Sequence, residues 1–202
     1  MLDSYLTIAG RHQSDLKIER SRFIATVIPV QSREKADEEY RTVQANYHDA
    51  THNCFAYQIG VGTNLRFRYA DDGEPSGTAG KPIYDSIRSH NLTDLLLVVT
   101  RYFGGVKLGT GDLARAYRDS ARQVLAQAEI VERFIRQHFR ISFDHQETAV
   151  VMKILSEYGL KPLKTDYGDK VDIDCAIRLS RYEAICRDLV ERSHGRVVIA
   201  KV

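Results

Sequence analysis

The sequence has no apolar run near the roughly 18 residues that a membrane-spanning helix needs. Its longest, residues 95–99, fits one buried strand. It opens Met1-Leu2-Asp3-Ser4, with no basic region ahead of an apolar stretch, so neither a signal peptide nor a membrane partner is expected. Cysteine is scarce: Cys54, Cys175 and Cys186 stand far apart and are odd in number, which gives neither a disulfide framework nor a zinc spacing. A reducing, cytoplasmic setting follows as the expectation. An excess of one charge is missing too. The net charge is +2, and residues 1–135 carry 17 basic against 17 acidic side chains. Any contact with nucleic acid must therefore come from a local patch rather than a basic arm.

What is present is enough for packed cores: 202 residues, 43% apolar and 28% charged. Residues 1–14 show no period and read as irregular. A strand over 22–30 leads to a helix capped by Ser32, with Ala36, Tyr40, Val43 and Tyr47 at helical spacing. Strands over 53–61 and 65–70 flank Gly62-Thr63-Asn64, a hairpin signal. A loop from Asp71 leads to a helix ending near Ser89, a strand over 95–100, a second loop over 101–110, and a helix over 111–128. The last third reads β-α-β-β-α-β, with Val171, Ile173, Cys175, Ile177 and Leu179 alternating onto one face. Asp144-x-x-Glu147, a near relative of the capping box, and Ser180-x-x-Glu183, a true one, read as the starts of its two helices. That order is the split βαβ pattern of ferredoxin-like domains. The reading is α+β, with one domain over 1–135 and a ferredoxin-like domain over 136–202.

Nine of the thirteen glycines fall between Gly60 and Gly111, and two strand-to-helix loops hold seven of them. The first loop carries Gly73, Glu74, Ser76, Gly77, Thr78, Gly80 and Lys81. The second carries Arg101, Tyr102, Gly104, Gly105, Lys107, Gly109, Thr110 and Gly111. Helix N-termini leave backbone N–H groups free and suit anions. Lys81, Arg101 and Lys107 add positive charge. The expectation is that the two loops meet as one exposed, anion-friendly pocket. Arg115, Arg118 and Arg122 span about 60° of the following helix and extend it as a basic strip. Tyr69, Tyr84, Tyr102 and Phe103 lie near the loop ends, where rings can stack on bases.

Known phosphate motifs do not fit. A Walker loop fails at Pro75 and at Pro82. The run Gly109-Thr110-Gly111-Asp112-Leu113-Ala114 has dinucleotide-loop spacing but lies eight residues beyond the strand. No cofactor is expected. His52 and Cys54, two apart on a strand, share a face and could form an activated thiolate. Asp49, Asp71, Asp72 and Glu74 offer carboxylates for acid–base work. His48, Asp49 and His52 lack further ligands at a useful spacing, so no metal site is expected.

Three stretches carry a family resemblance: Thr51-His52-Asn53-Cys54-Phe55-Ala56-Tyr57, the run from Asp72 through Gly73-Glu74-Pro75-Ser76-Gly77-Thr78-Ala79-Gly80 to Lys81-Pro82, and the run from Val99 through Arg101-Tyr102-Phe103-Gly104-Gly105-Val106-Lys107 to Gly109-Thr110-Gly111. In order and spacing they resemble the IMPACT family, and the rest of the chain resembles its bacterial, YigZ-like members. The resemblance implies a first domain like domain four of elongation factor G and the second domain of a small-subunit ribosomal protein. It implies a second domain like domain five of that factor. It carries no settled catalytic residues, only a shared surface. The function expected is a translation-associated regulatory protein that binds RNA, nucleic acid or the ribosome through the glycine-rich loops. One alternative is an enzyme on a small phosphorylated or carboxylated metabolite, with His52 or Glu74 as the acid–base group. Another is an adaptor that docks a protein partner on its C-terminal domain.

Overall fold

A computed structural model describes residues 3–202. Contacts divide it into two units, Tyr5–Arg133 and a second comprising Phe134–Val202 with Asp3 and Ser4. Among the described residues no helix is long and apolar enough to cross a membrane.

In the first unit, strands β2 (His12–Ile18), β3 (Ser21–Pro29), β4 (His52–Ile59), β5 (Arg66–Ala70) and β6 (Leu95–Tyr102) form a sheet in the order β2-β3-β6-β4-β5. Every neighbouring pair is antiparallel. Helix α1 (Arg33–Asn46) covers one face; α2 (Gly80–Ser89) and α3 (Thr110–Gln127) cover the other. The unbroken apolar run of β6 follows from this layering. Leu95, Leu97 and Val99 pack beneath α2 and α3, while Leu96 and Val98 pack beneath α1. Burying each such side chain is worth about 1.5–3 kcal/mol. A separate two-stranded sheet joins β1 (Ser4–Ile8) to β7 (Ile130–Phe134).

The second unit runs β8 (Arg136–Phe143), α4 (Thr148–Glu157), β9 (Lys164–Tyr167), β10 (Val171–Arg178), α5 (Tyr182–Arg192) and β11 (Val197–Lys201). Its antiparallel sheet has the order β11-β8-β10-β9. Val171, Ile173, Cys175 and Ile177 are buried against Ile154, Leu155, Ile185 and Leu189, as strict alternation requires. The chain is thus an α+β protein.

Four local expectations fail. Residues 4–8 and 12–18 are strands rather than irregular chain; Met1 and Leu2 lie outside the described residues. β2 sits at the sheet edge with only one face half covered, so its sequence HQSDLKI carries a weak apolar signal. Asp144 makes no side-chain cap. Ser180 does not cap α5 either: its amide and hydroxyl both bond the Asp3 carboxylate, which also holds Arg178. Ser32 does cap α1, accepting from the Lys35 amide at 3.2 Å.

Gly104 passes the β2–β3 turn so closely that an added Cβ would lie 1.8 Å from the Arg20 carbonyl oxygen. Gly111 has nothing within 4 Å of the same point. Gly104→Ala should therefore destabilise by about 1–3 kcal/mol or more. Gly111→Ala should be neutral or stabilising by up to about 1 kcal/mol. Urea unfolding reads both, and equal midpoints would contradict the packing described.

Candidate functional site

The first loop folds around a carboxylate of its own. Asp71 Oδ1 accepts the amides of Ala79 (3.0 Å) and Gly80 (2.8 Å), and Oδ2 accepts that of Gly77 (2.9 Å). The Asp71 carbonyl takes the Glu74 amide at 2.9 Å and the Cys54 thiol at 2.9 Å. Pro82 has no N–H to add. The N-terminus of α2 is therefore already occupied by an internal anion, and the expectation of a free amide cradle over residues 73–81 does not hold. Gly80 is needed because a Cβ would meet the Ala70 backbone at 2.8 Å.

This wrap delivers Glu74 into the protein beside residues from three other elements. Its Oε1 accepts from Arg101 Nη1 at 2.6 Å and from the Tyr117 hydroxyl at 2.7 Å. The Glu74 and Arg101 side chains are only 4% and 6% exposed, so removing one would strand a buried charge, at roughly 3–5 kcal/mol. Strand register sets His52 on β4 opposite Arg101 on β6. His52 Nδ1 lies 2.7 Å from the Asp72 carbonyl, and Nε2 lies 3.8 Å from Glu74 Oε2. Arg101 also donates to Ser21 Oγ at 3.3 Å, and its guanidinium lies over Phe23 and Phe103.

These groups open onto a cavity of about 390 Å³ lined by Thr51, His52, Glu74, Pro75, Arg101, Phe103, Lys107, Leu108 and Leu113. The two loops do meet, as expected, and they contribute unequally. The second loop leads into α3, whose N-cap Gly109 offers no side-chain bond. Gly109 and Gly111 have neither a positive φ nor any neighbour that a Cβ would meet. The fold does not demand glycine at either place.

The other expected site residues lie outside the cavity lining. Lys81 is paired with Asp85 at 2.6 Å. The Tyr102 hydroxyl bonds Asp49 at 2.7 Å. Thr78 Oγ1 is turned back onto the Pro75 carbonyl, and Gly73, Ser76, Gly77 and Gly105 are exposed loop positions. Gly104 packs against Arg20. Arg115, Arg118 and Arg122 are exposed on α3, and Arg115 bonds Asp112 at 3.3 Å. Tyr84 stacks with Tyr69 and with Phe67, a ring the sequence pattern did not single out.

Cys54 is no nucleophile here. It is fully buried, burial pushes its thiol well above the ordinary range, and its proton goes to the Asp71 carbonyl or toward the Tyr117 hydroxyl, 3.4 Å away. Burial likewise pushes the Tyr117 phenol up. Among the described residues no group of three or more His, Cys, Asp or Glu is arranged to hold a metal ion.

A two-sided antiparallel sheet with a polar cavity at the end of its central strand, followed by a β-α-β-β-α-β unit, defines the class. The Impact N-terminal domain family matches residues 19–125, and a domain of unknown function (DUF1949) matches residues 141–196. The chain belongs to the IMPACT family. It is 34% identical over 196 residues to the IMPACT family member YvyE of Bacillus subtilis, covering 97% of this chain and 90% of that protein. It is 27% identical to the IMPACT family member YigZ of Escherichia coli, covering 100% and 99%. A crystal structure described as that of a hypothetical protein superposes with a TM-score of 0.78 at 27% identity, over 100% of this chain and 98% of that one.

The folded Cys54 thiol stays protonated where an unfolded thiol ionises, at about pH 8.5. Its contribution to stability is complete below that pH and is lost progressively as pH rises from there toward the raised value of the folded thiol. Cys175, pushed up to about 11 by burial, adds to the same slope. The urea midpoint should fall between about pH 8.5 and 10, less so in Cys54→Ala. Thiol labelling of Cys54 should track global unfolding; rapid labelling at Cys54 in the native chain, as distinct from the half-buried Cys186, would contradict its burial.

Proposed function

We propose that the chain is a translation-associated regulatory protein of a reducing cytoplasm, and that it binds RNA or the ribosome along the edge formed by residues 107–112 and the outer face of α3. One observation carries this reading. Lys107, Arg118 and Arg122 have no carboxylate within ion-pair distance among the described residues; Lys107 precedes a helix N-terminus that no side chain caps, and Arg118 and Arg122 lie more than two turns along the same helix. Unpaired cations beside free amides suit a run of phosphates. The two exposed glycines leave room for a backbone to come close.

The strand order of the second unit, with both helices following their strands as in the split βαβ motif, supports the ferredoxin-like assignment of residues 136–202. The implied kinship of residues 1–135 with elongation-factor domain four supports a ribosome-facing role, although fold likeness alone carries no activity. With a net charge of only +2, the footprint is small. A second reading, an enzyme on a small phosphorylated or carboxylated metabolite, draws on His52 Nε2 and Glu74 Oε2 facing the cavity together. Turnover of such a compound, abolished in Glu74→Gln, would favour it.

Binding of single-stranded RNA to the full chain should weaken linearly in log salt. The slope should become shallower by roughly 0.7 for each phosphate that a variant no longer neutralises. Lys107→Ala and the pair Arg118→Ala/Arg122→Ala should each flatten it, whereas Lys81→Ala should not. A salt-independent affinity, or one untouched by these variants, would refute the assignment of the edge.

A further inference from the structure

We infer that the cavity over His52 and Glu74 receives a hydroxyl carried beside a phosphate ester, the chemistry of a ribose 2′-hydroxyl next to its 3′-phosphate. This rests on the reading of the adjoining edge as an RNA-binding surface and names what that surface recognises.

The floor of the cavity sets two acceptors beside the Arg101 guanidinium, whose Nη1 is already held by Glu74 and whose Nε is buried. Glu74 is nearly inaccessible, and its Oε1 is saturated by Arg101 and Tyr117. Its Oε2 accepts no hydrogen bond among the described residues; the nearest partner is His52 Nε2, 3.8 Å away. Oε2 is therefore the part of this otherwise buried side chain that is open to the cavity, where a ligand can supply the donor that the protein does not. The tautomer of His52 follows from its other nitrogen. The Asp72 carbonyl 2.7 Å from Nδ1 can only accept, so Nδ1 carries the proton. In the neutral ring Nε2 is then a lone pair facing the same space as Oε2. Two acceptors side by side repel a phosphate oxygen and admit a hydroxyl.

A second wall of the cavity has the reverse character. Lys107, Leu108 and Leu113 line it, and they bracket the first turn of α3. Lys107 is unpaired among the described residues, and the Gly109 cap leaves the helix amides without a side-chain acceptor. The phosphate belongs on this wall. Phe103, 44% exposed, also lines the cavity, with its ring backed by the Arg101 guanidinium at 5.5 Å, a face on which a sugar or base can rest. The volume suits one nucleotide. A ligand that donates at one end and carries negative charge a few bonds away satisfies both walls. Ribose in RNA does so and deoxyribose does not.

The test compares three single strands of one sequence, RNA, DNA and 2′-O-methyl RNA, binding to the full chain at a fixed salt concentration. RNA should bind at least about tenfold more tightly than either of the others. His52→Ala should bring the three affinities together while leaving the salt slope unchanged, and Glu74→Gln should bring them together as well. If Glu74→Gln does not fold, His52→Ala reads the same interaction. Adenosine 3′-monophosphate and its 2′-deoxy form, used as competitors, separate the sources: competition by the ribose form alone places the recognised group in a single nucleotide, and competition by neither, with the strand preference intact, places it in the polymer. Equal affinity for all three strands with a steep salt slope would overturn this inference and leave the RNA-binding edge standing. No binding of any strand would overturn both. An RNA preference that survives both variants would also overturn it, since the hydroxyl would then be read elsewhere.

Discussion

The candidate site depends on one side chain, Asp71, sitting where a phosphate would otherwise sit. Its carboxylate takes the Gly77, Ala79 and Gly80 amides, and so serves α2 as a cap supplied from several residues upstream. Helix N-termini carry partial positive charge and unpaired donors, and an internal carboxylate answers both. The same residue's carbonyl fixes the Glu74 amide and the Cys54 thiol. The first loop is consequently a rigid frame rather than a ligand cradle, and what it frames is Glu74.

From that frame the polarity of the cavity follows. Glu74 enters a buried network with Arg101 and Tyr117 that neutralises one of its oxygens and leaves the other facing space. His52 is held in a single orientation by the Asp72 carbonyl, and Asp72 is itself tied down through its carboxylate to the Asn53 amide at 2.6 Å. Cys54 beneath them is a packed, protonated thiol that steadies the network and takes no part in chemistry. Two glycine-rich loops thus divide the labour. One is closed on its own acid and shapes the pocket; the other ends in an uncapped helix that remains open to an anion from outside.

Much of the architecture was legible wherever burial is decisive. The run 95–99 reads as a central strand because both its faces are covered, and 171–177 reads as a strand because only alternate positions are. Edges were harder. β2 is mostly polar and half covered, so no period survives in its residues. The failed caps show why local motifs mislead: the Ser180 hydroxyl found a stronger partner in Asp3, 177 positions away in sequence. In the site, His52, Glu74, Arg101 and Lys107 were recognisable from residue type and loop position, and the structure brings them to one cavity. The capture of loop amides by Asp71 was not recognisable, because bonds to the sixth, eighth and ninth residues onward follow no periodic rule. Lys81 and Tyr102 looked equally functional in sequence, yet their charge and hydroxyl are spent on Asp85 and Asp49.

The division between a closed and an open helix N-terminus is most directly tested by following backbone amide resonances while the full chain is titrated with a short single-stranded RNA. Amides of residues 107–112 should shift progressively and saturably, while those of Gly77, Ala79 and Gly80, held by Asp71, should stay put. Shifts centred on residues 77–80 with residues 107–112 unmoved would contradict it.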